Sequence, residues 1–150
     1  MRILILLLFC LNITYVNADE IYNLLKIPNL EIFKLKSKNN IRYLNSNNDF
    51  KIGVDDNIAC KKTKKINLDK KFPVIEKNLS LYNSNFLKKI QLKYIVLCED
   101  LFISEINTGG IPDTQKRTLI LDINFNQKHF ERMIHLSLIH ISEPTRHPLI

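Results

Sequence analysis

The sequence has no tryptophan and three glycines in 150 residues. With so little glycine it holds no Gly-rich loop that could cradle a phosphate, and no serine nucleophile elbow is present either. Long apolar runs are missing after the first dozen residues, and no internal repeat appears. Cysteine is sparse at three residues. Neither Cys60 nor Cys98 has a Cys or His two to four positions away, which excludes a two-cysteine zinc knuckle. Arginine and aromatic residues are absent from the most basic stretch, Lys61-Lys62-Thr63-Lys64-Lys65 with Lys70 and Lys71. Nucleic-acid grooves interleave such side chains among their lysines, so no nucleic-acid partner is expected. The basic stretch reads instead as a solvated loop, despite a net charge of +7.

What is present begins with an address. MRILILLLFCLNITYVNA carries one charge at Arg2, an apolar run from Ile3 to Leu11 and a small residue at Ala18. That run is too short to span a bilayer comfortably, and no stop-transfer segment follows. Residues 1–18 are therefore expected to be a signal peptide cleaved before Asp19, giving a secreted or lumenal protein without a stable membrane span. An uncleaved anchor is the alternative. Cys10 leaves with the signal, so an oxidising compartment makes Cys60 and Cys98 a disulfide candidate. Closing that loop would stabilise the fold by about 3 to 4 kcal/mol. The plainer alternative buries Cys98 as a small apolar residue of its strand. Asn78-Leu79-Ser80 is a sequon, which makes Asn78 a glycosylation candidate.

Residues 19–71 form an N-terminal region, a pro-segment or the start of the domain. Leu30 to Lys36 alternates as a strand does, Ser37 to Asp49 reads as an Asn-rich loop or weak strand, and Gly53 to Asp56 as a turn. Beyond Asn78 the pattern sharpens. Asn78 or Ser80 can cap a helix whose apolar face takes Leu81, Phe86, Leu87 and Ile90. Leu92 to Leu97 is a nearly continuous apolar run, expected as a strand covered on both faces. Glu99 and Asp100 are adjacent, and neighbours on a strand point to opposite faces, which argues against a shared acid/base site. Gly109-Gly110 and Pro112-Asp113 require a turn between Asn107 and Lys116. Thr118 to Ile123 is a second strand. Asn124 or Asn126 then caps a helix on which Phe130, Met133 and Ile134 take i, i+3, i+4 spacing. The fold class expected is α+β, a small sheet with flanking helices.

Strand, Gly-containing turn, strand and an amphipathic helix beginning FERMIH resembles the approach to the active site of zincin metallopeptidases. In that group a sheet strand borders the substrate cleft and the next helix carries His-Glu-x-x-His. The resemblance is nearest to secreted zinc-binding metallopeptidases whose helix reads roughly His-His-Glu-x-x-His, and it covers about Phe72 to His135. It implies a partial catalytic domain over residues 72–135, a peptide or protein substrate, and zinc as cofactor of the full-length parent. It also implies that His135 is the first zinc ligand or the histidine immediately before it. Histidines four apart share one helical face and can both reach a tetrahedral zinc. The glutamate between them can accept a proton from metal-bound water. Here Leu136 and Ser137 follow His135, so the glutamate and second histidine are absent. Taken alone, His135 is a helix histidine with no metal role.

Leu136 to Arg146, LSLIHISEPTR, resembles the conceptual translation of a transposase adapter used in preparing sequencing libraries. His147 to Ile150 fits the index and constant segment that would follow. Residues 136–150 are therefore expected to be an artefact that adds no stable packing, although a helix could run on through Leu136, Leu138 and Ile139. The reading is an inactive, truncated fragment of a secreted zinc-dependent peptidase. Its rival is a secreted, disulfide-bearing α+β binding module without catalysis, using the lysine-rich stretch on an anionic partner.

Overall fold

The computed structural model describes residues 30–34, 37, 39–52, 54–114 and 116–143. The expected signal peptide and residues 144–150 lie outside these. The fold is α+β. A five-stranded sheet runs β1 (Leu30–Lys34), β2 (Arg42–Ser46), β5 (Tyr94–Cys98), β9 (Thr118–Asp122), β8 (Gly110–Asp113) in spatial order. Its three central strands are parallel, and both edge strands are antiparallel to their neighbours. A smaller antiparallel sheet runs β3 (Phe50–Ile52), β4 (Ile58–Cys60), β6 (Leu101–Ile103), β7 (Ile106–Asn107). Three helices are described: α1 (Lys65–Leu79), α2 (Ser84–Ile90) and α3 (Gln127–Ser142).

Strand alternation divides the apolar residues between two cores. Tyr43, Ile95, Leu97, Leu119 and Leu121 join the helix side, with Leu68, Ile75, Phe130 and Ile134. Leu44, Val96, Cys98 and Ile120 join the small-sheet side, with Phe50, Cys60 and Leu101. The run ending at Leu97 is thus covered on both faces, as its continuity implied. Cys60 and Cys98 form a disulfide with Cα atoms 5.3 Å apart, which ties β4 of the small sheet to β5 of the large one.

Several expectations need correction. The lysine-rich stretch is not a loop throughout, because α1 begins at Lys65. Leu68, Phe72, Ile75 and Leu79 fall at helical spacing and turn inward, Phe72 being partly buried. Fully burying one such aliphatic side chain stabilises by about 1.5–3 kcal/mol, enough between them to outweigh the roughly 3 kcal/mol cost of Pro73 inside the helix. The Asn-rich segment contains β2, an interior strand with Tyr43 and Leu44 fully buried. The following helix starts later than its apolar pattern suggested. Asn83 caps α2, its Oδ1 accepting from the Asn85 and Phe86 amides, and Leu81 stays 69% exposed. Gly110, Pro112 and Asp113 lie in a strand, and turn residues Thr114, Lys116 and Arg117 follow them.

The largest correction concerns residues 136–142. They continue α3, and Leu138 and Ile141 are fully buried. The reason is register: Phe130, Ile134, Leu138 and Ile141 form one stripe at i, i+4, i+8, i+11. The Arg117 guanidinium also donates to the Ile141 carbonyl at 2.9 Å. Ser137 is buried on the same helix with its hydroxyl unpartnered.

Candidate functional site

Helix α3 follows β9 and packs against β8 and β9. Asn126 caps it by accepting from the His129 amide at 3.0 Å, a bond whose loss typically costs about 1 kcal/mol. His129 stacks on Phe125 with ring centroids 4.4 Å apart. A Cβ on Gly109 would sit 2.5 Å from the Met133 Cγ and 2.9 Å from the His129 Nε2, so only glycine lets the chain entering β8 lie this close to the helix. The Ser137 Oγ would lie 3.4 Å from a Cβ on Gly110. His129, Met133 and Ser137 thus form the flank of α3 that faces the free edge strand.

His135 lies roughly half a turn away from Met133 and Ser137, at about 100° per residue. It faces the other two helices instead. Its Nε2 is 2.9 Å from the Asn78 Oδ1, and its Nδ1 is 2.6 Å from the Tyr82 hydroxyl. The Asn78 amide nitrogen donates to the Val74 carbonyl at 2.8 Å, which leaves Oδ1 toward the imidazole. The hydrogen-bond network therefore assigns neutral His135 as the Nε2–H tautomer, with Nδ1 accepting from Tyr82. Tyr82 stacks on Phe86, and burial raises its phenol above the usual value.

This arrangement decides how the sequence candidates stand. Both ring nitrogens of His135 are engaged, so neither is free for a metal without breaking the network. Among the described residues, no three His, Cys, Asp or Glu side chains come together in a way that could hold a metal ion. Asn78 is buried at 4% exposure. A glycan on its amide would have to displace the bonds to Val74 and His135. Cys60 and Cys98 are brought together as the sequence allowed.

The basic stretch is divided. The Lys61 ammonium pairs with Asp49 at 2.8 Å. Lys71 turns inward, donating to the Phe125 carbonyl at 2.8 Å and lying 4.6 Å over the Phe130 ring. Burial lowers its ammonium from the usual lysine range, against a raising influence from Asp122. Lys62, Lys64, Lys65 and Lys70 remain exposed.

Glu99 and Asp100 occupy the turn after β5 and serve the scaffold. Glu99 accepts from the Lys64 amide and the Asn67 side chain at the start of α1. Asp100 accepts from the Asn124 side chain. Asp122, at the end of β9, was not singled out by sequence. It is 1% exposed. Its Oδ2 accepts from the Leu101 amide at 2.8 Å and the Asn107 side chain at 3.0 Å. Its Oδ1 accepts from the Asn124 amide at 2.8 Å. Burial raises its carboxyl above the ordinary range, although these three donors act in the opposite direction. The signal was weak: a lone Asp closing an apolar run.

A second feature had no sequence signal. Pairing of β4 with β6 brings two turns around a concavity of about 640 Å³ on the small sheet. Ala59 and Phe102 lie side by side in its wall, with Lys51, Asp55, Asp56 and Glu105 around them. The chain matches no family model, no curated protein and no solved structure.

Proposed function

We propose that this chain is the N-terminal part of a secreted zincin-like metallopeptidase, with residues 136–150 an adapter-derived replacement of its natural continuation. The observation that carries the reading is the order of elements around α3. An antiparallel edge strand, β8, precedes β9, and the helix after β9 packs back against both. In the resembling group, a strand bordering the substrate cleft and the following metal-bearing helix stand in that sequence. An extended peptide could align along β8. Pairing with β9 leaves the Gly110 and Pro112 backbone groups facing outward, and Pro112 supplies an acceptor without a donor. Zinc in the complete protein would activate water for peptide-bond hydrolysis. The 150-residue chain is inactive in this reading, since a catalytic zinc needs three protein ligands.

No nucleic-acid partner is proposed, and no helix among the described residues is long and apolar enough to cross a membrane. The test is the genomic or transcript sequence across codon 135, followed by chelator-competition zinc titration of the restored protein. A continuation with Glu-x-x-His and tight zinc binding is expected. Genomic DNA that encodes Leu-Ser-Leu-Ile-His-Ile, or a continuation without that pattern, would overturn the proposal. The second reading, a secreted binding module, would then stand on the Cys60–Cys98 disulfide and the charged concavity beside Phe102.

A further inference from the structure

We infer that the concavity on the outer face of the small sheet takes an arginine side chain of an extended peptide, its guanidinium on the Phe102 ring and between Glu105 and the Asp55-Asp56 turn. This goes beyond the peptidase reading and does not depend on it. The small sheet covers the side of the five-stranded sheet opposite α3.

Strand register makes the floor. Phe50, Cys60 and Leu101 pair in one row across β3, β4 and β6, and all three belong to the core against the large sheet. The adjoining row, Lys51, Ala59 and Phe102, therefore points outward. Ala59 is the shortest of these, so the surface dips between the lysine stem and the phenyl ring. Two turns form the rim. Asp55 and Asp56 precede β4, and Ser104-Glu105 joins β6 to β7. The Ser104 amide donates to the Asn57 carbonyl at 2.7 Å, which clamps one turn to the other. Together they bound about 640 Å³, ample for one long side chain.

Charge complementarity selects the occupant. The chain carries +7, yet three carboxylates and one ammonium line this concavity. Other carboxylates of the chain are engaged: Asp49 pairs with Lys61, Glu99 accepts from Asn67, and Asp122 accepts from three donors. Asp55, Asp56 and Glu105 make no side-chain hydrogen bond or ion pair with any described residue. Their backbones also lie in the left-handed region, at φ 52°, 54° and 70°. Ser104, at φ 47°, completes with Glu105 a two-residue hairpin turn of the kind that favours Asn-Gly. A glutamate there costs stability relative to glycine, and what it adds is a carboxylate at the rim. An aromatic face between carboxylates on separate turns suits a flat, forked, weakly hydrated cation, a guanidinium before an ammonium. The arginine stem would cover Ala59. A free amino acid would bring its own carboxylate against the same acids, whereas a residue within a peptide does not.

The test titrates the full chain, its disulfide intact, with acetyl-Ala-Arg-Ala-amide while amide NMR shifts are followed. The same peptide with citrulline, the neutral isostere, or with lysine in the central place gives two further arms. The arginine peptide should move the Ala59, Phe102 and Glu105 amides, citrulline should leave them in place, and lysine should bind more weakly. Phe102→Ala and Glu105→Gln should each weaken the arginine peptide about two- to fivefold. Lys51→Met should tighten it by removing the competing ammonium. Glu105→Gly separates the site from the scaffold, and it decides if Phe102→Ala fails to fold. Glycine relieves the left-handed turn, so the melting temperature should hold or rise while binding falls. Unmoved amides with the arginine peptide, equal binding by citrulline or lysine, or full affinity in Glu105→Gly would each overturn the inference. No arm contains zinc, so the peptidase reading stands or falls separately.

Discussion

The two faces of the five-stranded sheet are held by different physics. The helix face rests on a continuous apolar cluster running from Tyr43 through Phe130 to Ile141. The small-sheet face has seven buried members, two of them the bridged cysteines. There a covalent bond and a buried carboxylate make up for the smaller core: Cys60–Cys98 spans the two sheets, and Asp122 reaches from β9 to the backbone of β6. The helix face should therefore respond most to lost volume, and the small-sheet face to redox state and pH. A short strand such as β7, with two exposed residues, cannot hold its place by burial alone.

Phe130→Ala gives the largest expected effect on the helix face. The ring is fully buried and carries the Lys71 ammonium over it. Truncation should cost about 3–5 kcal/mol, which chemical denaturation would measure. A loss under about 1 kcal/mol would mean that the helix layer does not dominate the core. On the other face, Cys60→Ala with Cys98→Ala should cost about 3 to 4 kcal/mol through the unfolded chain. Reduction of the unsubstituted protein should match it. The comparison breaks if the small sheet stays as protected from hydrogen exchange without the bridge as with it.

Asp122→Asn comes next. The amide replaces an acceptor oxygen with a donor, which sets an N–H against the Leu101, Asn107 or Asn124 donor. We expect a loss of about 1–3 kcal/mol at neutral pH. The pH dependence has a definite sign. Because burial raises the folded carboxyl above its ordinary value of 3.8, the folded state holds this proton more tightly than the unfolded chain. Its contribution is full below the unfolded value and is lost as pH rises through the folded one. Asp122→Asn should lack that part of the slope. Stability profiles of the two proteins that stay parallel from acid to neutral pH would refute it.

How much of this was readable follows from where the determining groups sit. The strands β5 and β9 were legible because their apolar runs specify burial without help from elsewhere, and Asn126 announced the start of α3. Helix α1 was hidden by its own lysines: Leu68, Phe72, Ile75 and Leu79 keep helical spacing, but the charges around them suggested a loop. Strand β2 was obscured because Asn45 and Ser46, polar and buried, continue an Asn-rich segment. The candidate site was the least legible. Which flank of α3 His135 occupies depends on Asn78 and Tyr82, 57 and 53 residues earlier in the chain. No local pattern records a partner at that distance. The tail was misjudged for the opposite reason: its resemblance to an adapter translation suggested that it would not pack, while Leu138 and Ile141 extend the stripe begun by Phe130.

Tyr82→Phe is the smallest expected change and the one that tests the flank. The substitution removes only the hydroxyl that meets the His135 Nδ1 and keeps the ring against Phe86. Since Tyr82 is partly exposed, water can replace the lost donor, and the net cost should be near 0.5–1.5 kcal/mol. His135 should keep its Nε2–H bond to Asn78, so the tautomer would not change. Asn78→Ala, by contrast, leaves the Nε2–H without its partner inside a buried helix contact. It should cost more than Tyr82→Phe, by about 1 kcal/mol or more. The double variant should fall short of the sum, because both side chains hold one imidazole. Full additivity in that cycle would mean that His135 does not couple the helices, and the flank assigned to it would have to be given up.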